Sequence, residues 1–193
     1  MKREAVLTWA AILVLGSISA GLGWWLGHRT LLPAERPPPP GLTVLAVGDA
    51  LPPLALPELD GGRMRSLSGP GRPRLINYWA SWCGPCRKEM PVLDAYATEQ
   101  GDNGVQVIGI ALDTPAEARA FLREVPVGFT VLLETPGRGD SSVRLGNSRG
   151  ILPYTVLVDA GGRLAKTHYG AFPDAAAVRE WVRDQPGMNS NAR

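Results

Sequence analysis

The only two cysteines of the chain, Cys83 and Cys86, are two residues apart in the stretch WASWCGPCRKEMP. Such a pair can hold a metal, form a structural disulfide or exchange electrons as a dithiol. A disulfide between residues so close in sequence constrains little of the unfolded chain, which disfavours a purely structural purpose. A zinc or iron–sulfur site needs about four ligands, and the two histidines, His28 and His168, are distant in sequence. Arg87 stands where covalent haem attachment requires histidine.

Thiol–disulfide exchange accounts for the order of the residues around the pair. A helix that begins near Gly84, directly after a buried strand, places Cys83 at its N-terminus. There the free backbone N–H groups and the helix dipole favour a thiolate, so Cys83 is the predicted nucleophile. Cys86 lies one turn later on the same face and is the predicted resolving thiol, while Gly84 and Pro85 support the site by setting the backbone between the sulfurs.

The segments around the pair predict the elements that position it. RLINYWA is an apolar run typical of a strand buried on both faces, and a helix is expected to follow it from Pro85 to Gln100. Strands and helices continue to alternate along the chain. The other predicted elements are a hairpin turning at Asp60-Gly61-Gly62, the strand VQVIGIAL, the helix TPAEARAFLREV capped by Thr114, the strand FTVLLE, the hairpin YTVLVD with RLAKTHY turning at Gly161-Gly162, and the helix DAAAVREWVRD capped by Asp174.

The N-terminal segment from Ala5 to Gly27 has no ionisable residue and is long enough to cross a bilayer as a helix. A transmembrane anchor over residues 1–28 is therefore predicted. The alternative is a cleaved signal peptide that ends near SISAG, and the apolar run that continues past this point disfavours it. Lys2 and Arg3 favour a cytoplasmic N-terminus, so the rest of the chain is expected outside the cytoplasm.

Composition divides the rest of the chain. Five prolines between Pro33 and Pro40 disfavour helix and sheet and predict an extended linker over residues 29–46. One domain of catalytic size is expected over residues 47–185, followed by a frayed tail over residues 186–193. The formal net charge is +2, which gives no reason to expect a nucleic acid partner.

At the cysteine pair the chain resembles the thioredoxin superfamily, and more closely its membrane-anchored TlpA-like branch with the ResA and CcmG types. The resemblance rests on INYWASWCGPCRKEMPVL, VIGIALD and GILPYTVLVDAGGRL. These motifs belong to a matching region that covers residues 47–183. The resemblance implies an α/β thioredoxin-like fold, in which helices flank a central mixed β-sheet.

The resemblance also implies roles for residues outside the cysteine pair. Pro153 would form a cis-proline loop that faces the disulfide and pairs its backbone with a substrate segment. Glu89 matches a glutamate close to the active site, with an ordinary exposed helix glutamate as the alternative. Trp79 and Trp82 match the aromatic flank of the site, and Trp79 suits the core equally well. Asn77 stands where cytoplasmic-type thioredoxins have a buried aspartate, so no carboxylate proton carrier is expected at that position.

The predicted function is an extracytoplasmic thiol:disulfide oxidoreductase of a bacterial inner membrane, with its catalytic domain in the periplasm. It would reduce partner proteins of the cytochrome c maturation or copper-site assembly type. A membrane thiol reductase would supply the electrons, because the periplasmic thiol pool is oxidising. No cofactor or metal is expected beyond the redox-active disulfide of Cys83 and Cys86. Two alternatives use the same cysteines: a thiol-dependent peroxidase and an assembly chaperone that binds Cu(I).

Overall fold

A computed structural model describes residues 2–30 and 37–184 and, within the first helix, the side chains of Trp9 and of residues 12–25. The chain divides into two compact units, Met1–Glu35 and Arg36–Arg193. Residues 31–36 of the predicted linker and the predicted tail over residues 186–193 lie outside the described residues.

The first unit contains the helix α1 (Lys2–Thr30), which includes the segment predicted to cross a membrane. Within the described part of the chain, no helix combines the length and the apolar character that a membrane crossing requires. The transmembrane anchor therefore stays a prediction.

The second unit contains the strands and helices that alternate along the chain. Their bounds are β1 (Ala55–Pro57), β2 (Met64–Ser66), β3 (Arg74–Trp79), α2 (Gly84–Gln100), β4 (Gln106–Leu112), α3 (Pro115–Glu124), β5 (Thr130–Glu134), α4 (Ser141–Arg144), β6 (Tyr154–Val158), β7 (Leu164–Tyr169) and α5 (Ala175–Arg183). All strands and the three longer helices were predicted from the sequence. The four-residue helix α4 was not, because one turn is too short to produce a helical pattern of apolar residues.

Five of the strands form one mixed sheet in the order β5-β4-β3-β6-β7. The strands β3, β4 and β5 run parallel to one another, whereas β6 pairs antiparallel with β3, and β7 antiparallel with β6. The strands β1 and β2 form a separate antiparallel hairpin. The central mixed sheet expected from the resemblance is therefore confirmed.

The central strand β3 is buried along its whole length, as its continuous apolar run predicts. Leu75 and Trp79 pack in clusters that include side chains of α2, while Ile76 and Tyr78 pack on the other face of the sheet. Asn77 is a polar exception within the strand and lies on the face that α2 covers. The strand thus carries a polar group beneath the helix that bears both cysteines.

The helices α3 and α5 begin at the predicted caps. Thr114 accepts a hydrogen bond from the N–H of Glu117 at 3.3 Å, and the Glu117 carboxylate accepts one from the N–H of Thr114 at 3.1 Å. Asp174 accepts a hydrogen bond from the N–H of Ala177 at 2.8 Å. These side chains satisfy N–H groups that the first turn of a helix leaves without partners.

The C-terminal end of the predicted linker packs on the sheet and helices of the second unit, to which it belongs. The N–H of Leu45 donates to the carbonyl oxygen of Arg144 at 2.8 Å, and the Leu45 side chain packs against the core. The N–H of Gly48 donates to the carbonyl oxygen of Leu164 at 2.7 Å. The partly buried Leu45 therefore contacts the folded domain two residues before the predicted boundary at Val47, and that boundary stays a prediction.

Candidate active site

The cysteine pair lies where the chain leaves the sheet and enters α2. Cys83 is the N-cap residue of this helix, and its sulfur accepts a hydrogen bond from the N–H of Cys86 at 3.2 Å. The two cysteines form a disulfide, with their Cα atoms 5.3 Å apart. The Cys83 sulfur thus occupies the position that the unpaired N–H groups of the first turn favour for a negative charge.

The two cysteines are both buried, although the residues next to them in the chain are exposed. Cys83 is 4% exposed and Cys86 is 1% exposed, whereas Trp82, directly before the pair, is 73% exposed. Gly84 and Pro85 are exposed in the first turn of the helix. Both cysteines are therefore buried, and Cys83 directly follows an exposed tryptophan in the chain.

Trp79 belongs to the core and to the surroundings of the disulfide at the same time. Its side chain is fully buried and lies in one apolar cluster with Cys83 and Cys86. The ring of Phe121, on α3, lies 4.7 Å from the Trp79 ring. The two interpretations of Trp79 are therefore compatible, whereas Trp82 forms the exposed aromatic flank.

Glu89 is buried, which rules out the alternative of an ordinary exposed helix glutamate. It is 1% exposed and lies one turn after Cys86 on α2. One carboxylate oxygen accepts a hydrogen bond from the side-chain amide of Asn77 at 2.9 Å, and the other accepts one from the N–H of Phe172 at 2.9 Å. The same Asn77 amide donates to the hydroxyl oxygen of Thr155 at 2.9 Å.

Burial raises the pKa of Glu89 to about 7, although the hydrogen bonds from Phe172 and Asn77 act in the opposite direction. The loss of hydration prevails because a buried carboxylate has few groups to replace the water around it. A carboxyl group with a pKa near neutrality can take up and release protons under physiological conditions. Asn77, six residues before Cys83, carries no carboxylate. The carboxylate of Glu89, on α2, lies next to it instead.

Thr155 and Phe172 are site residues that the sequence analysis did not identify. Thr155 is the register partner of Asn77 in the pairing of β3 with β6, so a predicted strand register would have brought the two together. Phe172 contributes only its backbone N–H, and it lies in the segment between β7 and α5. Any residue type can donate its backbone N–H, so the presence of phenylalanine at position 172 does not predict this hydrogen bond.

Pro153 follows a cis peptide bond from Leu152, directly before β6. Its carbonyl oxygen accepts a hydrogen bond from the N–H of Gly170 at 3.0 Å. Leu152 packs against the apolar cluster that contains Cys83 and Cys86. The structure thus brings this loop next to the cysteine cluster, while the pairing of the Pro153 backbone with a substrate stays a prediction.

A cleft of about 550 Å³ opens next to Trp82, the residue before Cys83. Trp82 and Leu152, which flank the cysteine cluster, contribute to its lining, as do Pro37 and Pro39 from the proline-rich segment. The lining is mainly apolar, and Arg138 adds a positive charge. The apolar surface around Trp82 is therefore part of a concave surface of a size that can receive a side chain and adjoining backbone of another polypeptide.

Arg87, which follows Cys86, is directed toward α3. Its guanidinium donates to the Glu124 carboxylate at 2.9 Å and lies 4.9 Å from the centre of the Phe121 ring. Because the positive charge of Arg87 already interacts with Glu124 and Phe121, we assign the stabilisation of a Cys83 thiolate to the helix N-terminus and not to Arg87.

Comparisons with known proteins agree with this arrangement. A family model described as Redoxin matches residues 46–181. The thiol:disulfide interchange protein HelX of Rhodobacter capsulatus is 36% identical over 97 residues, which is 49% of this chain and 50% of HelX. The thiol-disulfide oxidoreductase ResA of Geobacillus thermodenitrificans is 28% identical over 127 residues, which is 64% of this chain and 70% of that ResA.

Solved structures show the same fold. A protein of Chlorobium tepidum described as a thiol:disulfide interchange protein DsbE has a TM-score of 0.62 and 31% sequence identity, covering 72% of this chain and 96% of that one. A thioredoxin-related protein of Neisseria meningitidis serogroup B has a TM-score of 0.58 and 32% identity, covering 66% of this chain and 96% of that one. The thioredoxin-like fold of the second unit is thereby confirmed.

Proposed function

The chain belongs to the Redoxin family and is a thiol:disulfide oxidoreductase, and from this premise we propose that it reduces disulfides of partner proteins outside the cytoplasm. The observation that carries the proposal is the position of Cys83. Its sulfur caps α2, accepts the N–H of Cys86 and borders the exposed Trp82. A thiolate at this place is both stabilised and within reach of a docked polypeptide.

The reaction begins with the dithiol form of the enzyme. The Cys83 thiolate attacks one sulfur of the partner's disulfide, and the partner's other sulfur leaves as a thiolate that takes up a proton from water. Cys86 then loses its proton, and its thiolate attacks the Cys83 sulfur, so that the partner's remaining sulfur leaves as a second thiolate. Two electrons have passed to the partner, and the Cys83–Cys86 disulfide has formed.

Glu89 is the group that we assign to proton transfer in the second step. It lies one turn after Cys86, and its pKa of about 7 allows both protonation states near neutral pH. In its ionised form it accepts the Cys86 proton, which then protonates the departing partner thiolate. Asn77 and the N–H of Phe172 hold the carboxylate in place during this exchange.

The site of the reaction and its direction are further parts of the proposal. The segment from Ala5 to Gly27 lacks ionisable residues and forms part of the helix α1, which supports an N-terminal anchor with the catalytic domain on the outer side. Because an oxidising compartment does not maintain a dithiol, a membrane thiol reductase returns two electrons to the enzyme. Partners of the cytochrome c maturation or copper-site assembly type are proposed from the resemblance to the TlpA-like branch.

The test of the proposed reaction is the substitution Cys86→Ser in the full chain. Cys83 can still attack a partner, but no second thiol remains to release it, so partners stay covalently attached. Acid-quenched membranes should contain species of higher mass that disappear with reductant, and Cys83→Ser should contain none. If neither variant holds a partner while copper co-purifies with the unsubstituted protein, the proposed reduction of partner disulfides fails, and Cu(I) binding replaces it as the proposed role.

The direction of electron flow has a separate test. Thiol trapping in growing cells measures which fraction of the Cys83–Cys86 pair is reduced. A mostly reduced pair is expected of a reductase, because its electron donor keeps the dithiol available. A mostly oxidised pair would assign the protein the opposite direction, as an oxidase of partner thiols.

A further inference from the structure

The turn that carries Cys83 is buried at its two ends, where Ala80 and Cys83 belong to the apolar cluster of Trp79, and is exposed at Trp82. β3 ends at Trp79 and α2 begins at Gly84, so residues 80–83 must reverse the chain within a short distance. The N–H of Cys83 donates to the carbonyl oxygen of Ala80 at 3.1 Å. Trp82 points into solvent and gives the turn little packing.

Asp113 attaches this turn to the neighbouring strand. One oxygen of its carboxylate accepts a hydrogen bond from the N–H of Ser81 at 2.5 Å, and the other accepts one from the Ser81 hydroxyl at 3.3 Å. The carboxylate is buried, since Asp113 is 7% exposed. A buried carboxylate is stable only where donors replace its water, and Ser81 supplies two of them.

Asp113 is itself held on both sides by regular structure. It follows β4 directly, and β4 pairs in parallel with β3 up to the partners Trp79 and Ala111. The next residue, Thr114, caps α3 in a reciprocal pair with Glu117. The two hydrogen bonds to Ser81 therefore link the turn before Cys83 to a rigid junction of strand and helix.

We infer that Asp113 is a positioning residue, which holds the Cys83 sulfur at the N-terminus of α2 while the disulfide is open. This inference rests on the proposed function. In the oxidised form, the covalent bond to Cys86 already fixes Cys83 on the helix. In the dithiol form, that bond is absent, and the attachment of Ser81 to Asp113 restricts the turn in its place.

The negative charge of Asp113 has the opposite effect on Cys83 from its hydrogen bonds. A nearby carboxylate disfavours a thiolate, whereas a fixed turn keeps the sulfur among the N–H groups that favour one. Charged groups near the turn include Glu117, on α3, which acts on Asp113, and Arg87 of α2, which is paired with Glu124. The two effects are separable, because one depends on the charge of residue 113 and the other on the position of its oxygen atoms.

The experiment measures how fast Cys83 is alkylated as a function of pH, in full chains reduced with a dithiol. The variants are Asp113→Asn, which keeps an acceptor without the charge, Asp113→Glu, which keeps the charge and displaces the oxygens, and Asp113→Ala, which removes both. Glu117→Gln is the control, since it removes a neighbouring charge while glutamine can keep the reciprocal cap with Thr114. Reduction of insulin and of a small aromatic disulfide is measured in parallel.

Asp113→Ala and Asp113→Glu should raise the pH midpoint of Cys83 alkylation and slow both reductions at pH 7 about tenfold, the loss of thiolate that one unit of midpoint produces. Asp113→Asn should keep the midpoint at or below that of the unsubstituted protein, and Glu117→Gln should leave it unchanged. Asp113→Glu keeps the test decisive if Asp113→Ala does not fold.

Two results would overturn the inference. One is a lowered midpoint in both Asp113→Asn and Asp113→Ala with none in Asp113→Glu, which assigns the residue an effect of charge alone. The other is a set of unchanged midpoints with an equal loss of thermal stability in the oxidised and reduced forms, which leaves Asp113 a structural residue. If the unsubstituted protein does not reduce insulin, the proposed function fails, whatever the Asp113 variants do.

Discussion

The active site obtains its buried carboxylate from the helix and not from the strand. Asn77, on β3, provides a carboxamide that donates to Glu89, and Thr155 accepts a second hydrogen bond from the same amide. The side-chain oxygen of Asn77 is buried and has no hydrogen-bond partner among the described residues. If the amide rotates, this oxygen can accept the proton of a neutral Glu89, so the pair can accommodate both protonation states of the carboxyl group.

Glu89→Gln should flatten the pH dependence of stability. Because the folded state raises the pKa of Glu89 from 4.5 to about 7, the folded protein loses stability as pH rises between these values. At about 1.4 kcal/mol per pKa unit, this loss is of the order of 3 kcal/mol. Urea unfolding from pH 4.5 to pH 8 measures it, and the variant should gain stability over the unsubstituted protein as pH rises and keep a constant advantage above pH 7.5.

Asn77→Ala is the matched counterpart of this substitution. It removes a hydrogen bond that lowers the pKa of Glu89 and leaves the carboxyl group in place. The loss of stability with rising pH should therefore extend to higher pH and become larger in total, not smaller. Parallel curves for the unsubstituted protein and both variants would mean that Glu89 does not titrate in this range.

The chemistry of single residues could be predicted from the sequence where it depends on neighbours in the chain. The spacing of Cys83 and Cys86 and the start of a helix at Gly84 indicated a reactive dithiol. The burial of Glu89 does not follow from the sequence, because its partners, Asn77 and Phe172, come from a strand and from a loop distant in sequence. The link between Asp113 and Ser81 was not predicted for the same reason, since it depends on the pairing of β3 with β4.

At the scale of elements, the hairpin of β6 and β7 turns at a position that only glycine satisfies. Gly162 has a positive φ of 80°, and a Cβ atom there would lie 2.6 Å from the carbonyl oxygen of Gly69. The sequence indicated the turn through the Gly161-Gly162 pair. It did not indicate the close approach of the Gly69 backbone, which comes from the chain segment before β3.

Gly162→Ala should cost about 2–4 kcal/mol of unfolding free energy, because it combines a left-handed backbone with a steric clash. Gly170→Ala is the control, since Gly170 has a φ of 91° and open space where its Cβ would lie. The control should lose only about 1–2 kcal/mol. Urea unfolding of the two variants separates the cost of the left-handed backbone from the cost of the clash with Gly69. Equal losses would show that the Gly69 backbone moves away without cost.

The end of the predicted linker contacts the folded domain through Leu45. Leu45→Ala should lower the unfolding free energy by about 1–2 kcal/mol, since its partly buried side chain packs on the core. Val47→Ala is the control, because the Val47 side chain is 64% exposed and should contribute little. Thermal unfolding monitors both, and equal midpoints for the two variants would mean that Leu45 does not stabilise the domain, as expected of an extended linker over residues 29–46.

At the scale of the whole molecule, the division into two units follows the composition of the chain. The apolar, uncharged segment before Gly27 and the alternating strands and helices after Leu51 have different patterns, and the prolines from Pro33 to Pro40 separate them. The order of the strands within the sheet could be predicted only through the resemblance to a known family. The pattern of apolar residues within a segment indicates whether it forms a strand or a helix. Which strands pair with it in the sheet depends on contacts between segments that are distant in the chain.

The last prediction concerns the anchor. Expressed in a bacterial host, the full chain should sediment with membranes and keep its N-terminus, because the segment from Ala5 to Gly27 carries no charge that would oppose insertion. Leu13→Arg places a charge near the middle of this segment at a cost of about 2.5–3.5 kcal/mol and should move protein to the soluble fraction, whereas Leu13→Ala should not. Fractionation and mass spectrometry of the intact chain measure both outcomes. A soluble chain that begins near Gly21 would identify the segment as a cleaved signal peptide, and the catalytic domain would then meet its partners and its electron donor free in solution.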